Sequence, residues 1–142
     1  FQEIINQLCA PYFKQKVDKI VGIDARGFLI AGAMAYKMFC GLSVVRKKGK
    51  LPYKTKNRDC ILEYASATIE MHEDTIKPRE KIIVVDDLIA TGGTLLAAIE
   101  LIKELGGKVV GVSAVIDLSF LGGSKKIKDN YRVNTLINYE SE

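Results

Sequence analysis

The sequence predicts an α/β fold: a mostly parallel twisted sheet with helices on both faces. Two observations carry this. Apolar, β-branched runs of strand length, such as Ile82 to Val85 and Val109 to Ile116, alternate with segments whose apolar residues recur at helical spacing. The central run then ends on two carboxylates, Asp86 and Asp87. The turn Ala90-Thr91-Gly92-Gly93-Thr94 follows, and then a helical pattern. Strand, turn, helix and strand in that order give βαβ units and hence parallel pairing.

The elements follow in order. Ile4, Ile5, Leu8 and Cys9 mark a first helix, ended near Pro11, with a short amphipathic piece over 12–16. Lys19 to Asp24 reads as a buried strand closing on a carboxylate. Ala25-Arg26-Gly27 turns the chain into a helix over 28–39, capped by Gly41. Leu42 to Val45 is a strand that runs into a cationic cluster: Arg46, Lys47, Lys48, Lys50, Lys54, Lys56 and Arg58. The polar stretch 49–59, with Pro52 in it, reads as a long mobile loop, and 61–71 as a β-arm or hairpin. The mobile unit over the site spans about 49–66. A turn over 73–79 precedes the central strand. Leu95, Ala98, Ile99, Ile102 and Leu105 mark the next helix, closed by Gly106-Gly107. A strand over 108–116, a loop with a short helical turn over 117–128 and a last strand over 132–139 complete the chain. Its 142 residues make one domain, 1–142.

Composition excludes several classes. At 48% apolar the chain buries a real core and is not disordered. Apart from Tyr53 no aromatic residue interleaves with the cationic cluster, which argues against a stacking platform for nucleic acid. Cys9, Cys40 and Cys60 have neither metal-ligand spacing nor a disulfide framework, so a reduced, cytoplasmic setting is expected. The apolar run from Gly27 to Tyr36 is too short to cross a bilayer, and no membrane partner is expected. The chain starts at Phe1 directly in a helical pattern, so sequence upstream of it is expected to be missing.

The central stretch carries the chemistry. Ionised carboxylates only accept hydrogen bonds, which suits sugar hydroxyls. The alternatives for Asp86 and Asp87 are a solvated strand end or a Walker-B-like metal site. The latter needs a Gly-x-x-x-x-Gly-Lys-Ser/Thr loop, which the chain lacks. In residues 90–94, glycines expose backbone N–H groups, threonines add hydroxyls, and a helix dipole begins, all favouring a phosphate. An ordinary turn with Thr as N-cap is the plainer alternative. Together the two features indicate a sugar-phosphate site at the carboxyl end of a parallel strand.

Val84 to Thr94 resembles the 5-phosphoribosyl-1-pyrophosphate (PRPP) motif of the type I phosphoribosyltransferases, in the form found in adenine phosphoribosyltransferases. The likeness covers nearly the whole chain. Gly22 to Phe28, Arg46-Lys47-Lys48-Gly49-Lys50-Leu51-Pro52 and Leu62-Glu63-Tyr64 are similar to further family segments, and Leu118 to Gly122 more loosely so. The resemblance implies a Rossmann-like α/β fold and transfer of phosphoribosyl from PRPP to adenine. That is a pentosyltransferase reaction yielding AMP and pyrophosphate. It implies that Asp86 and Asp87 hold the ribose, and that Ala90, Thr91, Gly92, Gly93 and Thr94 hold the 5-phosphate. Arg26, Arg46, Lys47 and Lys50 would face pyrophosphate, and Glu63 would be the catalytic proton-transfer group. Tyr64 would close the site, and Leu88 and Leu121 would flank the base. Mg²⁺ would arrive on the pyrophosphate rather than in a protein-held metal site. A homodimer is implied as well. Family members also carry an N-terminal hood over the base, and this chain is expected to lack most of it.

Two competing readings are a transferase for another purine, such as xanthine, and a PRPP-sensing regulator without turnover. The Leu62-Glu63-Tyr64 segment and the complete basic loop favour an enzyme.

Overall fold

The computed structural model describes residues 1–61 and 66–141. The elements are α1 (Gln2–Cys9), β1 (Lys19–Ile23), α2 (Gly27–Met38), β2 (Gly41–Lys47), β3 (Thr55–Ile61), β4 (Ser66–His72), β5 (Lys81–Ile89), α3 (Gly93–Glu104), β6 (Lys108–Leu118), α4 (Gly123–Lys128) and β7 (Val133–Tyr139). The strands form one sheet in the order β3-β4-β2-β1-β5-β6-β7. From β2 to β7 all neighbours are parallel, as the βαβ pattern predicts. The β3–β4 hairpin is antiparallel, and β4 pairs with β2 through Arg46 opposite Glu70 and Lys47 opposite Ile69.

Alternation along β5 divides the core between the two faces. Ile83 and Val85 pack with Ile5, Leu8 and Met34 beneath α1 and α2. Ile82 and Val84 face the other way, packing with Ile69, Met71, Ile99 and Ile102 beneath α3 and the hairpin. Both faces of β5 are therefore dry from Ile82 to Val85, which is why that run is continuously apolar rather than alternating. Truncating the fully buried Ile82 or Ile83 to Ala would cost about 2–5 kcal/mol.

The structure corrects four local readings. The amphipathic piece over 12–16 does not form. Instead Ala10–Tyr12 is a 3-10 turn that buries Tyr12 with its hydroxyl 3.1 Å from Ser113 Oγ. Gly111 leaves the room for that ring, since a Cβ there would stand 2.6 Å from the ring edge. The helix over 28–39 is capped by Phe39, in the left-handed region at φ 52, whose N–H reaches Ala35 and Tyr36 carbonyls; Gly41 instead begins β2. The stretch 49–59 is not irregular throughout, because β3 starts at Thr55. Finally, β5 does not stop before its carboxylates but continues through Asp86 and Asp87 to Ile89. No described helix is long and apolar enough to cross a membrane.

Candidate active site

Because β1, β2 and β5 are parallel neighbours, their carboxyl ends share one edge of the sheet. Two adjoining cavities open there. The first, about 220 Å³, is lined by the turn from Ala90 to Leu95 together with Asp86 and Leu88. The second, about 230 Å³, has a charged wall of Asp24, Arg26, Arg46, Lys47, Asp86 and Asp87. Its apolar floor includes Ile23, Val45, Cys60 and Ile69. Asp86, Leu88 and Thr94 line both cavities and so form the partition between them.

The turn before α3 is built to leave its donors free. Gly92 is the N-cap at φ 79, a conformation that suits glycine, and no side chain caps the helix. Threonine is therefore not the cap. Gly123 at the start of α4 packs backbone to backbone under this turn: a Cβ on Gly92 would lie 3.1 Å from the Gly123 carbonyl oxygen. Nothing in the local sequence around 90–94 points to a partner thirty residues on. The Gly122-Gly123 pair is the only available signal.

The two carboxylates are unlike each other. Asp86 accepts a hydrogen bond from the Asp87 N–H at 2.8 Å. Burial, and then the side chain and charge of Asp87, push the Asp86 carboxyl up to about 7, against the opposing pull of the Asp87 N–H and of Arg26. Asp87 is paired with the exposed Arg26, whose Nε donates to Asp87 Oδ2 at 2.5 Å and whose guanidinium is held above its ordinary value by that bond.

Asp24, at the end of β1, is a member of the site that the sequence reading did not include. It accepts from Arg46 Nε at 3.2 Å, and Arg46 Nη1 donates to the Lys50 carbonyl at 3.2 Å. Its signal was the same as that of Asp86: a carboxylate closing an apolar strand. Lys47 lines the second cavity, whereas the side chain of Lys50 is exposed and its peptide is what the structure fixes. Glu70, buried on β4, was also missed. Its Oε1 accepts the N–H groups of Lys50 and Leu51, each at 2.9 Å, and its Oε2 accepts the Thr55 hydroxyl at 3.1 Å. Burial alone would raise this carboxyl; the donors around it outweigh burial and hold it below the ordinary glutamate value. Leu88 stands on the partition, while Leu121 lies in the 3-10 turn Ser119–Leu121 and lines neither cavity. Glu63 and Tyr64 lie outside the described residues.

A phosphate-sized turn, a carboxylate partition and a cationic pocket thus sit side by side at the carboxyl edge of a parallel sheet. The family model of the phosphoribosyl transferase domain matches residues 1–140.

The chain belongs to the phosphoribosyltransferase family.

Phosphoribosyltransferases similar to it include the adenine phosphoribosyltransferase of Brachyspira hyodysenteriae, 51% identical over 139 residues, covering 98% of this chain and 81% of the relative. The crystal structure of adenine phosphoribosyltransferase from Rhodothermus marinus is 42% identical with a TM-score of 0.93, covering 97% of this chain and 78% of that one. That of Saccharomyces cerevisiae, complexed with an imino-altritol bisphosphate and adenine, is 36% identical with a TM-score of 0.87, covering 95% of this chain and 78% of that one. The phosphoribosyltransferase fold expected from the sequence is therefore the fold observed.

Proposed function

We propose that this phosphoribosyltransferase transfers the 5-phosphoribosyl group of PRPP to adenine, giving AMP and pyrophosphate in purine salvage. The observation that carries the reading is the pair of adjoining cavities divided by Asp86, Leu88 and Thr94. PRPP has a phosphate at one end, a hydroxyl-bearing ring in the middle and a pyrophosphate at the other. The free N–H groups of residues 90–94, the carboxylates of Asp86 and Asp87, and the cations Arg26, Arg46, Lys47 and Lys50 suit those three parts in that order. Adenine as the acceptor is supported by relatives of that name at about half identity over nearly the whole chain.

In the reaction the bond from ribose C1 to the pyrophosphate oxygen breaks, and positive charge develops on the ribose. The cations stabilise the departing anion, and a purine nitrogen forms the new bond to C1. Glu63 exchanges the proton of the purine, with Tyr64 closing the site against water. Leu88 and Leu121 are assigned to the base side. Mg²⁺ enters as part of the PRPP substrate, held by phosphate and water oxygens. Asp24 and Asp87 are already paired with Arg46 and Arg26, and no cluster of three metal-ligating side chains forms among the described residues, so the ion would be held by the substrate's own oxygens. A homodimer is supported by the outer surface of α2, where Leu29 and Tyr36 are exposed and Phe1 lines a shallow apolar hollow with Tyr36. A cytoplasmic setting fits the three free thiols. The chain 1–142 acts as one unit in this reading, with residues of about 49–66 as its closing segment.

The test is a base panel. Purified protein with PRPP and Mg²⁺ is offered adenine, hypoxanthine, guanine and xanthine, and nucleotide formation is followed. AMP formation supports the reading; turnover of another base without adenine, or none at all, defeats it.

A further inference from the structure

We infer that Glu70 is a positioning residue for the pyrophosphate end of the site: from inside the hairpin it fixes the turn after β2 that carries Lys50 and that Arg46 grips from the strand. The inference rests on the phosphoribosyltransferase reading above, and deepens it.

Glu70 is only 3% exposed, and its two oxygens are used for one purpose. Oε1 takes the N–H groups of Lys50 and Leu51, and Oε2 takes the hydroxyl of Thr55. A buried carboxylate persists only when its acceptor capacity is met, and removing it strands the donors it served. Those donors belong to the turn after β2 and to the first residue of β3. One side chain therefore ties together both ends of Pro52-Tyr53-Lys54.

The same turn is gripped from the other side. Arg46 stands directly opposite Glu70 in the β2–β4 pairing. Its guanidinium donates to the Lys50 carbonyl and to Asp24. The peptide group joining Lys50 to Leu51 is thus held at its N–H by Glu70 and at its C=O by Arg46. Arg46 is in turn aimed by the carboxylate that ends β1. Lysine side chains on a free turn lose much conformational entropy when they gather round an anion. A turn held in place lowers that loss, and it does so without Glu70 touching substrate.

The inference makes a separable kinetic statement. Glu70→Ala is expected to raise the KM for PRPP roughly tenfold or more, and to weaken inhibition by pyrophosphate in step. The KM for adenine should stay within about twofold, since the base lies away from this turn. Glu70→Gln keeps one carbonyl acceptor for the two N–H groups and should recover most of the loss. Thr55→Val removes the outer tether and should move the PRPP KM in the same direction by less. Should the alanine variant fail to fold, Glu70→Gln and Thr55→Val decide. Folded variants whose PRPP and pyrophosphate constants match the parent, or whose PRPP and adenine constants change equally, overturn the inference. Calorimetric titration with pyrophosphate separates the two readings. A parent that binds pyrophosphate but turns over no purine defeats the proposed reaction and leaves Glu70 testable by binding. An active parent with indifferent Glu70 variants defeats the inference alone.

Discussion

Arg26 Nε lies 2.5 Å from Asp87 Oδ2, so one of the two rim carboxylates is tied to a cation that is itself largely solvent-facing. The pair spans the line between the proposed ribose and pyrophosphate positions. A pair with so exposed a cation adds little to folding, because solvent screens it. Arg26→Ala is therefore expected to leave the melting temperature within about 2 °C of the parent, yet lower kcat/KM roughly 100-fold through loss of a charge partner for the leaving group. Arg26→Lys keeps the charge without the planar fork and should fall between. Melting curves and steady-state kinetics on the three proteins check this.

Asp86 gives a pH prediction. Its carboxyl is raised to about 7 in the folded protein, so the folded state holds this proton more tightly than the unfolded chain does. Stability from this group is complete below the unfolded carboxylate value and falls as pH rises through about 7. Asp86→Asn removes that dependence. At pH about 8 the variant should be more stable than the parent, by on the order of 3 kcal/mol, and the difference should vanish near pH 4. Activity should run the other way. The ionised carboxylate is the acceptor for ribose hydroxyls, so the parent's PRPP KM should fall between pH about 6 and 8, while the Asn variant stays poor throughout. Denaturation and kinetics across that range would expose a wrong sign in either.

Gly92→Ala tests the turn before α3. The residue sits at φ 79, where an L side chain is strained by about 1–2 kcal/mol, and its new Cβ would press on the Gly123 carbonyl from 3.1 Å. Stability should drop by at least that strain. The PRPP KM should rise with little change in that for adenine, because the displaced N–H groups serve the 5-phosphate. A parent-like PRPP KM in a folded variant would remove the phosphate assignment.

Glu63→Ala should lower kcat by about 10² to 10⁴, the usual range for losing a positioned proton-transfer group, with the PRPP KM nearly unchanged. Full activity in this variant would end the assignment of Glu63.

Much of this was legible in the residues, and the exceptions have physical causes. β5 and α3 carry strong periodic signals because both are buried against the core. The pairing of a carboxylate strand end with a glycine-rich turn is legible because both lie in one continuous stretch of sequence, Asp86 to Thr94. The strand β3 was illegible because it is a solvated edge: Lys56, Asn57 and Asp59 are exposed and only Cys60 among 55–60 is buried. An edge strand rich in charge looks like a loop in sequence. Glu70 showed only as a charge between Ile69 and Met71, and a single charge in an apolar strand does not say which donors it serves. Phe39 as a helix cap ran against propensity, since αL is favoured by glycine. The contact between Gly92 and Gly123 depends on the fold alone.

One helix also joins parts of the site that are far apart in sequence. α3 begins at the turn proposed to take the 5-phosphate. Its last residue, Glu104, forms an ion pair with Arg58 of β3, and the helix packs along that strand. Anchoring an anion at the first turn thus restrains a rigid rod whose far end bears on the hairpin. Amide hydrogen exchange should register this as slower exchange in β3 when phosphate-bearing ligands bind, around Arg58 at the far end of the helix as well as at Cys60 beside Thr94. The hairpin's local stability is then a reporter of occupancy at the opposite end of the helix.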